Sequence, residues 1–200
     1  FTVDGISQGF DVYHRKSDPQ SLDYAYKTES TGGGIRFGIP IDEKQTVHFG
    51  LAVDYTKVEI DPTDKDSYGK YVTPGQYLRF NQEFCGNGSS DISNPALIPS
   101  TCSNVTFPAT IGWVSDSKDS AINPRSGAFQ RANLEWALPG GDLTYYKLTY
   151  QHQRFFPVTR TMTLMLNGEL GYAKGLSGQE VPFYKNFYAG GYGSVRGYDN

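Results

Sequence analysis

An all-β chain, and within that class a segment of an antiparallel transmembrane β-barrel, is predicted by three features. Apolar residues alternate with period two in segment after segment. The opposite face of those segments is polar or tiny. Connections between them alternate between short and long. Composition agrees: 15 Tyr, 12 Phe and 23 Gly stand against 2 Met, a mixture that favours strands and turns over helices. A mean hydropathy of −0.50 does not argue against the membrane, because lipid-facing and water-facing residues offset each other in a barrel strand. No run of 18 apolar residues provides a transmembrane helix. A net charge of −3 with no basic block gives no nucleic-acid surface. The length suits one domain with a real core. No signal peptide opens the chain, and Phe1 enters in mid-pattern, as expected of a mature or truncated product.

The elements follow in order. Ile6 to Tyr13 is a strand with an imperfect apolar face, interrupted by Gln8. Ile35, Phe37 and Ile39 flank Arg36 and Gly38. In Thr46 to Thr56, "TVHFGLAVDYT", Val47, Phe49, Leu51, Val53 and Tyr55 share one face, while His48, Gly50, Ala52 and Asp54 share the other. Five apolar residues in strict alternation are a strong strand signal. Val105 to Trp113 alternates in the same way, followed by Arg131 to Leu138, Tyr146 to Gln151 and Met162 to Tyr172. Seven strands result, and helical periodicity is convincing nowhere. The apolar set assigned to lipid includes Val47, Phe49, Leu51, Val53, Trp113, Trp136, Leu164 and Leu166. The polar set assigned to a lumen comprises Arg36, His48, Asp54, Arg131, Glu135, Lys147 and Glu169.

A soluble antiparallel sandwich also alternates, but its exposed face should favour Lys and Glu. Here that face is rich in Gly, Thr, Asn and Gln, which suits a crowded wet lumen. Ile39–Gln45, Asp119–Gly127 and Phe156–Arg160 are short connections, whereas the one from Asp61 to about Ser103 is very long. Such asymmetry suits the two rims of an outer-membrane barrel. The short Leu138–Asp142 connection is the exception.

No catalytic constellation emerges, and the chain is not expected to be an enzyme or to carry a cofactor or metal. The closing glycines, Gly191, Gly193 and Gly197, miss a dinucleotide spacing, and no Lys-Ser or Lys-Thr follows for a phosphate loop. Ser117 lacks a Gly-x-Ser-x-Gly context. His14, His48 and His152 are dispersed and read best as lumen or loop surface. Asn87-Gly88-Ser89 and Asn104-Val105-Thr106 match a glycosylation sequon that is frequent by chance.

The chain's last stretch, "VPFYKNFYAGGYGSVRGYDN" from Val181 to Asn200, resembles the sixth extracellular loop of the BamA-type outer-membrane barrel-assembly family. Val195-Arg196-Gly197-Tyr198 matches that loop's Val-Arg-Gly-Phe/Tyr tip, and "NFYAGG" matches its approach. "FTVDGIS", "RFGIPIDEKQ", "ALPGGDLTYYK" and "FFPVTRTMTLMLNGELGYAKG" resemble successive barrel segments, so the likeness spans nearly the whole chain.

The resemblance implies that residues 1–200 are part of one transmembrane barrel domain, about seven strands of a barrel of about sixteen. Residues 61–103 would be a large extracellular loop, and 174–200 the start of an inward-folding sixth loop whose Arg196 pairs with acids on later strands. The periplasmic POTRA domains, the first four strands and the last five would lie outside this chain. A multi-pass β-barrel of the Gram-negative outer membrane is implied, acting as an insertase for nascent outer-membrane β-barrel proteins. Its partners would be those clients, the outer-membrane lipids, and accessory lipoproteins that dock mainly on the POTRA domains. The related TamA or two-partner secretion transporters, a passive porin, and a soluble carbohydrate-binding β-protein are the competing readings. An exported location and an even count point to a disulfide between Cys85 and Cys102; a zinc pair is the alternative, but no His lies within the loop. The bond would staple a loop of little apolar content, stabilising it by roughly 3 kcal/mol.

Overall fold

Period two carries through into one antiparallel sheet. The computed structural model describes residues 2–3, 6–17, 26–65, 68–69, 73–89 and 91–187; the Val195–Tyr198 motif lies outside them. Strands β1 (Thr2–Val3), β2 (Ile6–Ser17), β3 (Tyr26–Asp42), β4 (Gln45–Ile60), β5 (Thr101–Thr106), β6 (Pro108–Asp116), β7 (Gly127–Ala137), β8 (Tyr145–Pro157) and β9 (Thr163–Gly175) form the sheet. Its order is β1-β2-β3-β4-β6-β7-β8-β9, with β5 also paired to β4. Every strand pairing is antiparallel.

β5 and β6 occupy a single row. β5 pairs with Asp54–Glu59 of β4, and β6 pairs with Gln45–Leu51 of the same strand. The row breaks at Phe107, before a proline that has no N–H to donate. The connection after β7 covers the break: Leu138 N donates to Phe107 O at 2.9 Å and Asp142 N to Val105 O at 2.8 Å. The Asp142 carboxylate accepts from Val105 N at 2.7 Å. Counting that row once leaves seven long strands, the seven segments read from the sequence.

Two boundaries differ from expectation. His14–Ser17 and Tyr26–Gly34 are strand, not connection, so β2 and β3 extend well beyond their apolar cores. "STGGG" from Ser30 to Gly34 has almost no side chains with which to show alternation. Helical structure also exists, against the sequence reading. Helix α1 (Gly75–Phe84) lies in the long connection between β4 and β5, and short 3-10 turns occupy Pro95–Leu97 and Phe183–Lys185. Among the described residues no helix is long and apolar enough to cross a membrane, which leaves crossing by strands open.

The long connection is not poor in apolar content either. Its Tyr77, Leu78, Phe80 and Ile98 join Val58, Ile60, Cys102, Ala137, Leu143, Tyr145 and Phe183 in the buried core. That core lies between α1, the ends of β4 and β5, and the 3-10 turn at Phe183, all on one face of the sheet. Among the described residues the other face carries no layer. Phe10 is 82% exposed, Val12 91%, Leu51 54% and Leu166 55%. A sandwich would bury that apolar face against a second sheet. The soluble sandwich reading therefore fails on an apolar sheet face left bare across all seven rows.

Candidate functional site

The face that carries α1 is where the polar side chains converge. Cross-strand partners share a face, so register decides membership. Arg36 pairs with Gly50, Gly38 with His48, and Gly32 with Asp54. Glu135 pairs with Thr110 and Lys147, and Arg131 with Gln151, which in turn pairs with Glu169. Arg36, His48, Asp54, Arg131, Glu135, Lys147 and Glu169 thus lie on the loop-bearing face. Val47, Phe49, Leu51, Val53, Trp113, Trp136, Leu164 and Leu166 lie on the bare one. His14 and His152 correct the sequence reading. Their partners Thr31 and Gln130 place both on the bare face.

Segment 176–187 folds back across the loop-bearing face and is held at several points. Leu176 N donates to Thr144 O at 2.9 Å, and Thr144 N donates to Gln179 Oε1 at 3.0 Å. Lys185 Nζ lies 2.9 Å from Glu135 Oε1, the oxygen that also accepts from the Tyr145 hydroxyl at 2.6 Å. Lys147 Nζ donates to the Lys185 carbonyl at 2.7 Å and sits 4.3 Å from the Phe187 ring centroid. Glycine makes that last contact possible: a Cβ on Gly171 would stand 2.5 Å from Phe187 Cε1. Only a residue without a side chain admits the ring there.

Phe183 ties this segment to the cap. It is 2% exposed, with its ring 4.2 Å from Tyr77, 5.0 Å from Tyr26 and 5.5 Å from Phe80. Edge-to-face rings in this range add about 0.5–1.5 kcal/mol per pair beyond burial. Tyr184 donates its hydroxyl to Asn104 Oδ1 at 3.0 Å, and burial pushes that hydroxyl's pKa up, so it stays a donor. Asn104, half of a nominal glycosylation sequon, is 2% exposed and committed to this bond. Cys85 and Cys102 are joined as a disulfide, tying the end of α1 to β5.

Beside the docked segment lies a groove of ≈ 360 Å³, lined by Asp11, Tyr13, Arg36, Asp54, Glu135 and Lys185 among others. Arg36 ion-pairs with Asp11 across β2 and β3, and Asp54 Oδ1 is buried with no hydrogen-bond partner among the described residues. A second groove of ≈ 380 Å³ is lined by Arg36, His48 and Arg131. Among the described residues no group of three His, Cys, Asp or Glu gathers at metal-binding range. The face is built to hold a chain segment against charged, water-accessible grooves.

Sequence reasoning placed the brace on Arg196, which lies outside the described residues. It missed Lys185, Tyr145, Phe183 and Tyr184. The available signal was "PFYKNF", a lysine among three aromatic residues, which is an unusual composition for a solvated loop.

The Omp85 superfamily domain model matches residues 1–200. Outer membrane protein assembly factor BamA of Neisseria meningitidis serogroup B is 38% identical over 204 residues, covering 100% of this chain and 24% of that protein. The crystal structure of BamA from Haemophilus ducreyi lacking POTRA domains 1-3 is similar in fold, with a TM-score of 0.79 at 24% identity. It covers 98% of this chain and 35% of that one. The chain therefore spans about a quarter to a third of the length of these relatives.

Proposed function

Because the chain belongs to the Omp85 superfamily, we propose that it is wall and cap of an outer-membrane β-barrel that folds and inserts other outer-membrane β-barrel proteins. The observation that carries this reading is the pairing of a bare apolar sheet face with an opposite polar face onto which two chain segments are folded. A bare face fits lipid. A polar face holding α1 and segment 176–187 fits a lumen occupied by its own loops rather than an open pore. Closure of the sheet by further strands would satisfy edge backbone groups that hydrocarbon cannot, and exposed edges could template a client strand by the same chemistry.

In this reading residues 61–103 form the extracellular cap, and residues from about 174 onward form the inward-folding loop whose tip carries Arg196. The BamA relative's name describes an assembly factor, which supports an insertase over a passive porin. Clients would be unfolded β-barrel proteins, and accessory lipoproteins would dock on regions outside this chain. The test uses the full-length protein in vesicles, mixed with a urea-unfolded barrel client whose folding is followed by its heat-modifiable gel migration. Client folding several-fold faster than in empty vesicles is expected. Ion conductance without any acceleration of folding would replace the insertase with a porin.

A further inference from the structure

On the bare face, β7 and β8 carry a polar island inside an apolar surface. Gln130 stands directly opposite His152, and Arg154 stands opposite Leu166 of β9. Along β8 the same face continues with Tyr150 on one side of the island and Phe156 on the other. The Tyr150 hydroxyl donates to Gln130 Oε1 at 2.9 Å and lies 3.5 Å from His152 Nδ1. The Arg154 guanidinium lies 5.4 Å from the Phe156 ring centroid and is exposed. Among the described residues it has no carboxylate at ion-pair distance; the nearest acid on β9, Glu169, is on the opposite face of the sheet.

A guanidinium cannot discharge at any relevant pH, and on the lipid face of a barrel a cation costs up to about 2–4 kcal/mol at mid-bilayer and little near the headgroups. Arg154 lies three residues from the end of β8 at Pro157, which sets it at the headgroup level of the short-turn rim. An anion arriving from the membrane would compete with no carboxylate among the described residues. We propose that Arg154, His152 and Gln130 form a binding site for the phosphodiester headgroup of a membrane lipid. The guanidinium fork supplies two parallel N–H donors to phosphate oxygens. His152 and the Gln130 amide add donors beside it, while Tyr150 and Leu170, on the mid-membrane side of Arg154, contact the acyl chain. The inference rests on the bare face meeting lipid and is independent of any insertase activity.

The experiment is native mass spectrometry of the full-length protein in neutral detergent, comparing wild type with Arg154→Gln and Arg154→Lys. The probes are phosphatidylglycerol, diacylglycerol of the same chains, and inorganic phosphate as competitor. Wild type should retain phosphatidylglycerol, Gln should retain about tenfold less, and Lys should fall between, because a point charge lacks the fork. Diacylglycerol should be retained poorly and equally by all three. Equal phosphatidylglycerol retention by wild type and by whichever variants fold overturns the site. Diacylglycerol held as well as phosphatidylglycerol overturns the role of the phosphate. Displacement of the lipid by millimolar inorganic phosphate overturns the lipid as its ligand in favour of a free anion.

Discussion

Glu135 ties the docked segment to the sheet wall. One of its oxygens takes both Lys185 and the Tyr145 hydroxyl. The pair is partly shielded, with side chains 27% and 21% exposed for Lys185 and Glu135. Such a contact contributes roughly 1.5 kcal/mol, more than an exposed ion pair and less than a fully buried one. Lys185→Ala is therefore expected to raise chymotrypsin cleavage at Phe183, Tyr184 and Phe187 of the full-length protein by about tenfold, since each 1.4 kcal/mol is a factor of ten. The exchange Glu135→Lys with Lys185→Glu should restore part of the protection. No rise in cleavage would make the pair incidental. Asp119 offers a second residue-scale outcome. The backbone N–H groups of Arg125 and Ser126, with the Ser126 hydroxyl, hold its carboxyl below the usual carboxylate range. A depressed folded-state pKa stabilises above the unfolded value, about 3.9, and is lost as pH falls through the folded one. The Arg125 and Ser126 amides should then stay protected from hydrogen exchange at pH 7 and lose protection below about pH 4. Asp119→Asn should remove that dependence.

At the scale of elements, the cap and the docked segment form one body. Phe183 contacts Tyr77 and Phe80 of α1, Tyr184 bonds Asn104 of β5, and the disulfide joins α1 to β5. The Cys85–Cys102 bond closes a span of 17 residues, worth about 3 kcal/mol in the chain-entropy view. Cys85→Ala with Cys102→Ala should lower the thermal midpoint for loss of cap structure, yet leave α1 folded at 25 °C because its aromatic core remains. Both thiols should resist alkylation in native, unreduced protein; two freely reacting thiols would rule the bond out. Gly171→Val should expel Phe187 and leave Lys147 without its ring, again read as faster proteolysis of 176–187, with no effect on the disulfide. The strand elements were legible because period two survives in any strand with different surroundings on its two faces, as in Thr46 to Thr56. Helix α1 was not, because its ten residues carry apolar side chains only at Tyr77, Leu78, Phe80 and Phe84, and no side chain caps its N-terminus. The Glu135–Lys185 contact spans 50 residues and depends on where a loop lands, which no local pattern reports. The Ser30–Gly34 part of β3 was hidden for the opposite reason, having too little side chain to alternate.

For the whole molecule, one sheet with two unlike faces explains both the composition and the unusual exposure. Tyr55 ends the apolar run on the bare face of β4, and Lys57 and Glu59 follow it on the same face, paired at 2.6 Å. A switch from apolar to charged along one strand marks where hydrocarbon gives way to water. The long connection and the short Glu43–Lys44 turn then lie on opposite sides of the membrane. A cysteine at Asn94 should react with impermeant reagents on intact cells, while one at Lys44 should not; labelling at Lys44 alone would invert the topology. The most direct test of the two-faced wall is a nitroxide scan of residues 47–54 in the full-length protein in liposomes, reading collision with oxygen and with a water-soluble nickel chelate. Oxygen accessibility should peak at 47, 49, 51 and 53, and nickel accessibility at 48, 50, 52 and 54, out of phase with period two. Loss of the alternation, or the same positions favouring the nickel chelate over oxygen, would contradict a membrane wall with Val47, Phe49, Leu51 and Val53 in lipid.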